Sequence, residues 1–177
     1  MEGLSNLSSS NMKKILETER LFLREMTLAD APFMLELLNT PSWLAYIGDR
    51  GVYTIEQAER YLQEGNLKSY AEHGFGFYLV VVKETGHLIG MCGLVKREGL
   101  DDIDIGFAFL PAFTGKGYGY EAASATLVYA KNTLKLARVV AIVHPDNEAS
   151  ISLIKKIGMV YEKQVVLPTG KELLLFA

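Results

Sequence analysis

Apolar residues recur along this chain with two periods, and the changes of period mark its elements. Arg20-Leu21-Phe22-Leu23-Arg24 predicts a short strand. Thr27 opens a helix, with Asp30 three residues on as a box-like cap and Pro32 in the first turns. Phe33, Met34, Leu37 and Leu38 give that helix its inward face, and Asn39-Thr40-Pro41 ends it. A loop carrying Trp43, Tyr46 and Gly48 follows. Thr54 with Gln57 forms a second capping box. It starts a helix that turns Ala58, Tyr61, Leu62 and Leu67 inward and closes near Gly74. From Phe75 to Lys83 the residues become β-branched and aromatic. Glu84-Thr85-Gly86-His87 is turn chemistry, and Leu88 to Lys96 completes a hairpin. Ile103 to Leu110 is the next strand and stops at Pro111. Gly117 to Thr133 reads as a helix, Arg138 to His144 as a strand, and Asn147 to Ile157 as a helix closed by Gly158. Met159 to Leu167 and Lys171 to Phe176 form a last hairpin around Pro168-Thr169-Gly170. The order β-α-α-β-β-β-α-β-α-β-β implies an α+β mixed sheet with helices on its faces.

Composition changes this picture little. The 177 residues suit one domain, and 49% of them are apolar. No apolar run nears the roughly 20 residues that span a bilayer. The Ser- and Asn-rich start cannot bury enough apolar surface to offset its ordering entropy, so residues 1–13 are expected to be a flexible tail before a domain over 14–177. It also lacks the basic-then-apolar order of a signal peptide. A formal charge of −3 speaks against a nucleic-acid partner and suits a cationic amine, though mild acidity is common. Cys92 is the one cysteine, which excludes an internal disulfide and fits a cytoplasmic location. Mid-strand between Met91 and Gly93, it reads as a buried structural thiol. His73, His87 and His144 lack metal-ligand spacing, so no metal is expected.

The chemistry-bearing stretch is Thr114-Gly115-Lys116-Gly117-Tyr118-Gly119-Tyr120-Glu121-Ala122, between a strand and a helix. Glycines allow a tight turn and close approach to a ligand. The first helical amides lack internal partners, and the helix dipole favours an anion there. A pyrophosphate is the natural guest, with Lys116 adding charge; a purely structural turn is the alternative. A P-loop is excluded, since no Gly-Lys-Ser/Thr follows at the required spacing. A dinucleotide fingerprint fits poorly, because Val143-His144-Pro145 stands where its acidic residue belongs.

Further along come Pro145-Asp146-Asn147-Glu148-Ala149-Ser150 and Lys156-Ile157-Gly158-Met159. Together with Gly115 to Ala122, the hairpin Lys83 to Gly90 and Ile105-Gly106-Phe107, they make the chain resemble the GNAT acetyltransferase superfamily. The branch it most resembles contains the bacterial ribosomal-protein N-terminal (alanine/serine) acetyltransferases. The resemblance runs from Glu19-Arg20-Leu21 to the last hairpin. It implies a GNAT-type acyl-CoA N-acyltransferase fold, a mostly antiparallel seven-stranded sheet with a splayed central parallel pair and helices on both faces. It implies acetyl-CoA as co-substrate, without metal. The acceptor is then an amine, either a protein N-terminus or a small molecule, and homodimers occur in this branch. No nucleic acid or membrane partner is implied.

Carried over residue by residue, the resemblance implies that backbone groups of Phe107, Ala108, Phe109 and Leu110 bind the pantetheine arm. The amide of Phe109 would face the oxyanion. Thr114, Gly115, Lys116, Gly117, Tyr118, Gly119 and Tyr120 would hold the pyrophosphate, with Thr114 in place of the usual Gln or Arg. Asn147 would bond the cofactor arm, and Ser150 would either do the same or cap its helix. Asp104 is the candidate base; its alternative is a solvent-facing or surface-paired carboxylate. Glu121 is expected to be structural, and His144 lies near the expected cofactor. Trp43 and Tyr46 line the acceptor site or plug the core edge. A tyrosine that many members use as general acid is replaced by Ile154. That departure keeps a second reading open, a non-catalytic acyl-CoA-binding module; a domain without cofactor binding is a third.

Overall fold

The computed structural model describes residues 13–177, so all but the last residue of the expected N-terminal tail lies outside the described residues. Lys13 itself is tied to the sheet, its carbonyl accepting the Glu25 N–H at 2.9 Å.

The sheet strands are β1 (Lys14–Glu17), β2 (Leu21–Arg24), β3 (Phe77–Val82), β4 (Leu88–Val95), β5 (Ile103–Phe109), β6 (Val139–Val143), β7 (Tyr161–Val166) and β8 (Glu172–Phe176). Their spatial order is β1-β2-β3-β4-β5-β6-β8-β7. All neighbours are antiparallel except β5 and β6. The sheet thus has eight strands rather than the seven expected. The extra one, β1, carries only Ile15 and Leu16 between charged ends, too few positions to display alternation.

The helices are α1 (Ala31–Leu38), α2 (Pro41–Tyr46), α3 (Ile55–Leu62), α4 (Lys68–His73), α5 (Tyr118–Asn132) and α6 (Glu148–Lys156). Alternation along β3 divides the core. Leu79 and Val81 join α1, α2 and α3 on one face, while Tyr78, Val80 and Val82 join α5 and Ile154 of α6 on the other. Two caps foreseen in the sequence form. The Thr27 N–H reaches Asp30 Oδ2 at 2.8 Å, and Thr54 and Gln57 bond reciprocally at 3.1 Å. Asp30 has a further task. Its two oxygens accept both terminal nitrogens of buried Arg24 at 2.8 and 2.9 Å.

Two expectations are corrected. Trp43 and Tyr46 lie on a short helix, α2, not in a loop; Pro41 at its first turn follows Thr40, an order that starts helices. The helix expected from Thr54 to Gly74 is interrupted by a π turn, Gln63–Leu67. Buried Asn66 takes the inward position there, with Leu67 only partly covered. Its amide donates to the Met26 sulfur at 3.1 Å.

Candidate active site

The parallel pair shares register only at Ile103 with Val139 and Asp104 with Val140. Beyond Asp104 the two strands part. β5 stays regularly paired with β4 from Asp104 to Phe109, and the next N–H, of Leu110, donates to the Ile89 carbonyl at 2.8 Å. Backbone groups alternate in direction along a strand. Ala108 and Leu110 therefore direct theirs to β4, whereas Phe107 and Phe109 direct N–H and C=O into the gap. Leu110 is buried in the core, so of the four residues expected to bond an extended ligand, two have free backbone groups there.

A cavity of about 420 Å³ opens on one side of the gap. Phe107, Ala108 and Phe109 form one wall, and Asn147 and Ser150 of the α6 start another. Thr114, Gly115, Gly117, Gly119 and Tyr120 close the end. Gly117 caps α5 at φ +84°, a left-handed conformation that a side chain would strain. Among the described residues no backbone carbonyl accepts the amides of Gly115 to Tyr120. These donors and the α5 dipole make the turn an anion cradle.

The cradle is braced from β2. Arg20 Nε donates to Glu121 Oε1 at 2.9 Å, its Nη1 donates to the Lys116 carbonyl at 3.0 Å, and its guanidinium lies 4.4 Å from the Tyr118 ring centre. Glu121 Oε2 accepts the Thr18 hydroxyl and the Arg20 N–H. Burial pushes the Glu121 carboxyl up, but the Thr18 and Arg20 bonds together hold it below its ordinary range. Glu121 is thus structural, as expected. The Lys116 ammonium and the Tyr118 ring stand outside the cavity lining, the first over Phe113 and the second under Arg20. At α6 the helix cap is Asn147, whose Oδ1 accepts the Ser150 N–H at 3.2 Å, so Ser150 is not the cap.

A second cavity of about 380 Å³ adjoins the first along β5, lined by Asp104 to Phe107, and shares Trp43, Tyr46, Ile47, Phe107, Asn147 and Ser150 with it. Asp104 lines it, 1% exposed. Its Oδ2 accepts Arg97 Nε at 3.0 Å, and its Oδ1 has no partner. Burial pushes this carboxyl above its ordinary range, with Arg97 opposing. The solvent-facing alternative fails on burial, whereas the paired alternative is met in part by partly exposed Arg97. Buried Trp43 also has an unpartnered polar atom, Nε1. Sequence reasoning missed Arg97, Arg50 and Lys171, which line this cavity from three loops; Lys171, expected to begin the last strand, lies just before it. It also missed Arg20 as a brace. Ile154, in the expected tyrosine position, is core at 2% exposed and lines the same cavity. His144 packs beside Tyr46 at 5.6 Å between ring centres. Cys92 is fully buried beside the Thr126 hydroxyl, and burial pushes its thiol up to about 12, the inert state expected.

A family model described as an acetyltransferase (GNAT) domain matches residues 20–160. The chain belongs to the GNAT acetyltransferase family. The uncharacterized N-acetyltransferase YnaD of Bacillus subtilis (strain 168) is 32% identical over 159 residues, 89% of this chain and 90% of the relative. An acetyltransferase from Agrobacterium tumefaciens str. C58 superposes with a TM-score of 0.78 at 26% identity, covering 98% of each chain. The ribosomal L7/L12 α-N-protein acetyltransferase RimL shares the fold, with a TM-score of 0.80 at 18% identity over 98% of each chain. The co-substrate of this GNAT chain is acetyl-CoA. The site suits that molecule: free strand groups for an amide-bearing arm, and unpartnered amides at a helix start for a pyrophosphate. Among the described residues, no three His, Cys, Asp or Glu side chains gather to hold a metal ion, and no helix is long and apolar enough to cross a membrane.

Proposed function

We propose that this chain acetylates a primary amine by direct attack, with Asp104 as general base. The observation that carries this reading is the buried, unpartnered Oδ1 of Asp104 in one cavity, opposite the amide cradle in the other. Bound acetyl-CoA supplies an activated acetyl thioester. The Phe107 and Phe109 backbone groups hold its arm, and the Phe109 N–H polarises the acetyl carbonyl. Amides of Gly115 to Tyr120 receive the pyrophosphate, and the free amide group of Asn147 donates to the arm. Trp43 and Tyr46 flank the amine. Asp104 takes the proton that the amine nitrogen gives up as the C–N bond forms. The C–S bond then breaks, and coenzyme A departs as a thiolate that water protonates.

Core placement of Ile154 favours one other reading, a module that binds acyl-CoA without turnover. Thermal unfolding and thiol release separate the two. Acetyl-CoA at about 100 times its Kd should stabilise by about 2.7 kcal/mol. At ~2–4 °C per kcal/mol for this chain length, the melting temperature rises by roughly 5–11 °C. Gly117→Glu should fold but lose that rise. Release of free coenzyme A thiol on adding amines supports the enzyme; a rise in melting temperature without thiol release from any amine supports the binding module.

A further inference from the structure

The cavity that holds Asp104 is charged against the composition of the chain. Acidic residues outnumber basic ones overall, 21 to 18. Here three cations, Arg50, Arg97 and Lys171, face two carboxylates, Asp104 and Glu98. They come from three separate segments: the loop after α2, the loop after β4 and the turn between β7 and β8. Arg97 gives only its Nε to Asp104. Arg50 is exposed at the cavity and makes no hydrogen bond or ion pair among the described residues. Lys171 Nζ donates to the carbonyls of Tyr46 and Ile47, which fixes the ammonium at the end of α2 with a donor to spare. All three cations line the one cavity, and the Lys171 ammonium is pushed down by its partial burial, with the Arg50 and Arg97 charges adding to it. Against Asp104 and Glu98 the lining keeps one positive charge in excess, which the anionic group of a ligand would meet.

The geometry points to an acceptor that carries its own anionic group, an amine and a carboxylate on one short skeleton as in an amino acid. Its nitrogen meets Asp104 Oδ1, and its carboxylate meets Arg50, Lys171 and the free end of Arg97. The Trp43 N–H, buried and unpartnered, offers the bound molecule one more donor. A polyamine fits poorly, because its second cation would meet the same cluster. Glu98, exposed as Arg50 is, reduces the positive excess of the lining without cancelling it.

This inference rests on the acetyl-transfer reading, and its test keeps the two apart. Free thiol release from acetyl-CoA is measured with matched trios: an α-amino acid, its carboxamide, and the amine lacking the carboxyl. Spermidine and a short peptide with a free N-terminus complete the panel. The amino acid should exceed its carboxamide in kcat/KM by about tenfold or more, the scale of one charge-assisted contact. Arg50→Gln should shrink that preference severalfold, chiefly by raising KM for the acid, with the melting-temperature rise from acetyl-CoA retained. Equal or better turnover of carboxamide, spermidine or peptide overturns the acceptor class and leaves acetyl transfer standing. So does a preference for acids that Arg50→Gln leaves undiminished. Failure of every amine to release thiol overturns the acceptor class and the catalytic reading together, and absence of any acetyl-CoA effect on melting removes the reading beneath both.

Discussion

Asp104 has one oxygen held by Arg97 and one without a partner, and that asymmetry makes its behaviour testable. Burial raises its pKa, with Arg97 opposing. A base is active when deprotonated, so kcat/KM should rise with pH along a limb above the ordinary aspartate range. Arg97→Met removes the opposing charge and should move that limb to still higher pH. Asp104→Asn should abolish it and lower kcat by about 10²–10⁴, with the acetyl-CoA stabilisation retained. A limb that persists in Asp104→Asn assigns the proton to another group. The stability sign follows from the same shift. The folded pKa lies above the unfolded one, so the stability Asp104 contributes is full below the unfolded pKa and lost as pH rises through the folded one. The position of Asp104 on its strand was legible in the pattern of apolar residues. Its burial was not, because a strand period of two says which residues share a face, not which face is covered. Arg97 was illegible too, since no period reaches into the loop that carries it.

At the scale of elements, the site depends on one turn held in shape by another strand. Arg20 stands just before β2, yet it ties Glu121, the Lys116 carbonyl and the Tyr118 ring into one brace beneath the cradle. The cradle uses backbone amides, so its affinity depends on where the turn sits. Arg20→Ala should raise KM for acetyl-CoA by about threefold to tenfold; the pair is partly exposed, and screening limits its contribution to about 1 kcal/mol. The kcat at saturating acetyl-CoA should stay near wild type, because Arg20 touches no reacting atom. Steady-state kinetics with acetyl-CoA varied separate this from a general loss of folding, which would lower the amount of active protein and hence the apparent kcat. The glycine turn itself was readable, because strand, alternate glycines and helix occur in one local stretch. Its brace spans about a hundred residues, and no local pattern encodes it. Short elements were lost for a related reason: α2 has six residues and β1 four, less than the two turns or several alternations that reveal a period.

The sheet as a whole consists of two parts joined at one narrow place. Neighbours from β1 to β5 share three to six residue pairs, β6 and β8 share three and β8 and β7 five, but only two join β5 to β6. Backbone groups of Phe107 and Phe109 beyond that junction lack strand partners, a condition that costs free energy unless water or a ligand meets them. A ligand lying in the gap supplies partners on one edge and fills space against the other, so it should hold the two parts together. Hydrogen exchange measures this directly. Without acetyl-CoA, amides of β6 and the β7–β8 hairpin should exchange faster than those of β3 and β4, which sit mid-sheet. On adding acetyl-CoA, protection should rise along β5, β6 and the start of α6 as well as at Gly115 to Tyr120, with β3 little changed. Protection confined to the glycine turn would mean that only the pyrophosphate end engages, and the splayed strands would then need another explanation. Protection on both sides of the gap would make the weak junction a working part of the enzyme: the sheet gives up strand pairing where the co-substrate supplies it.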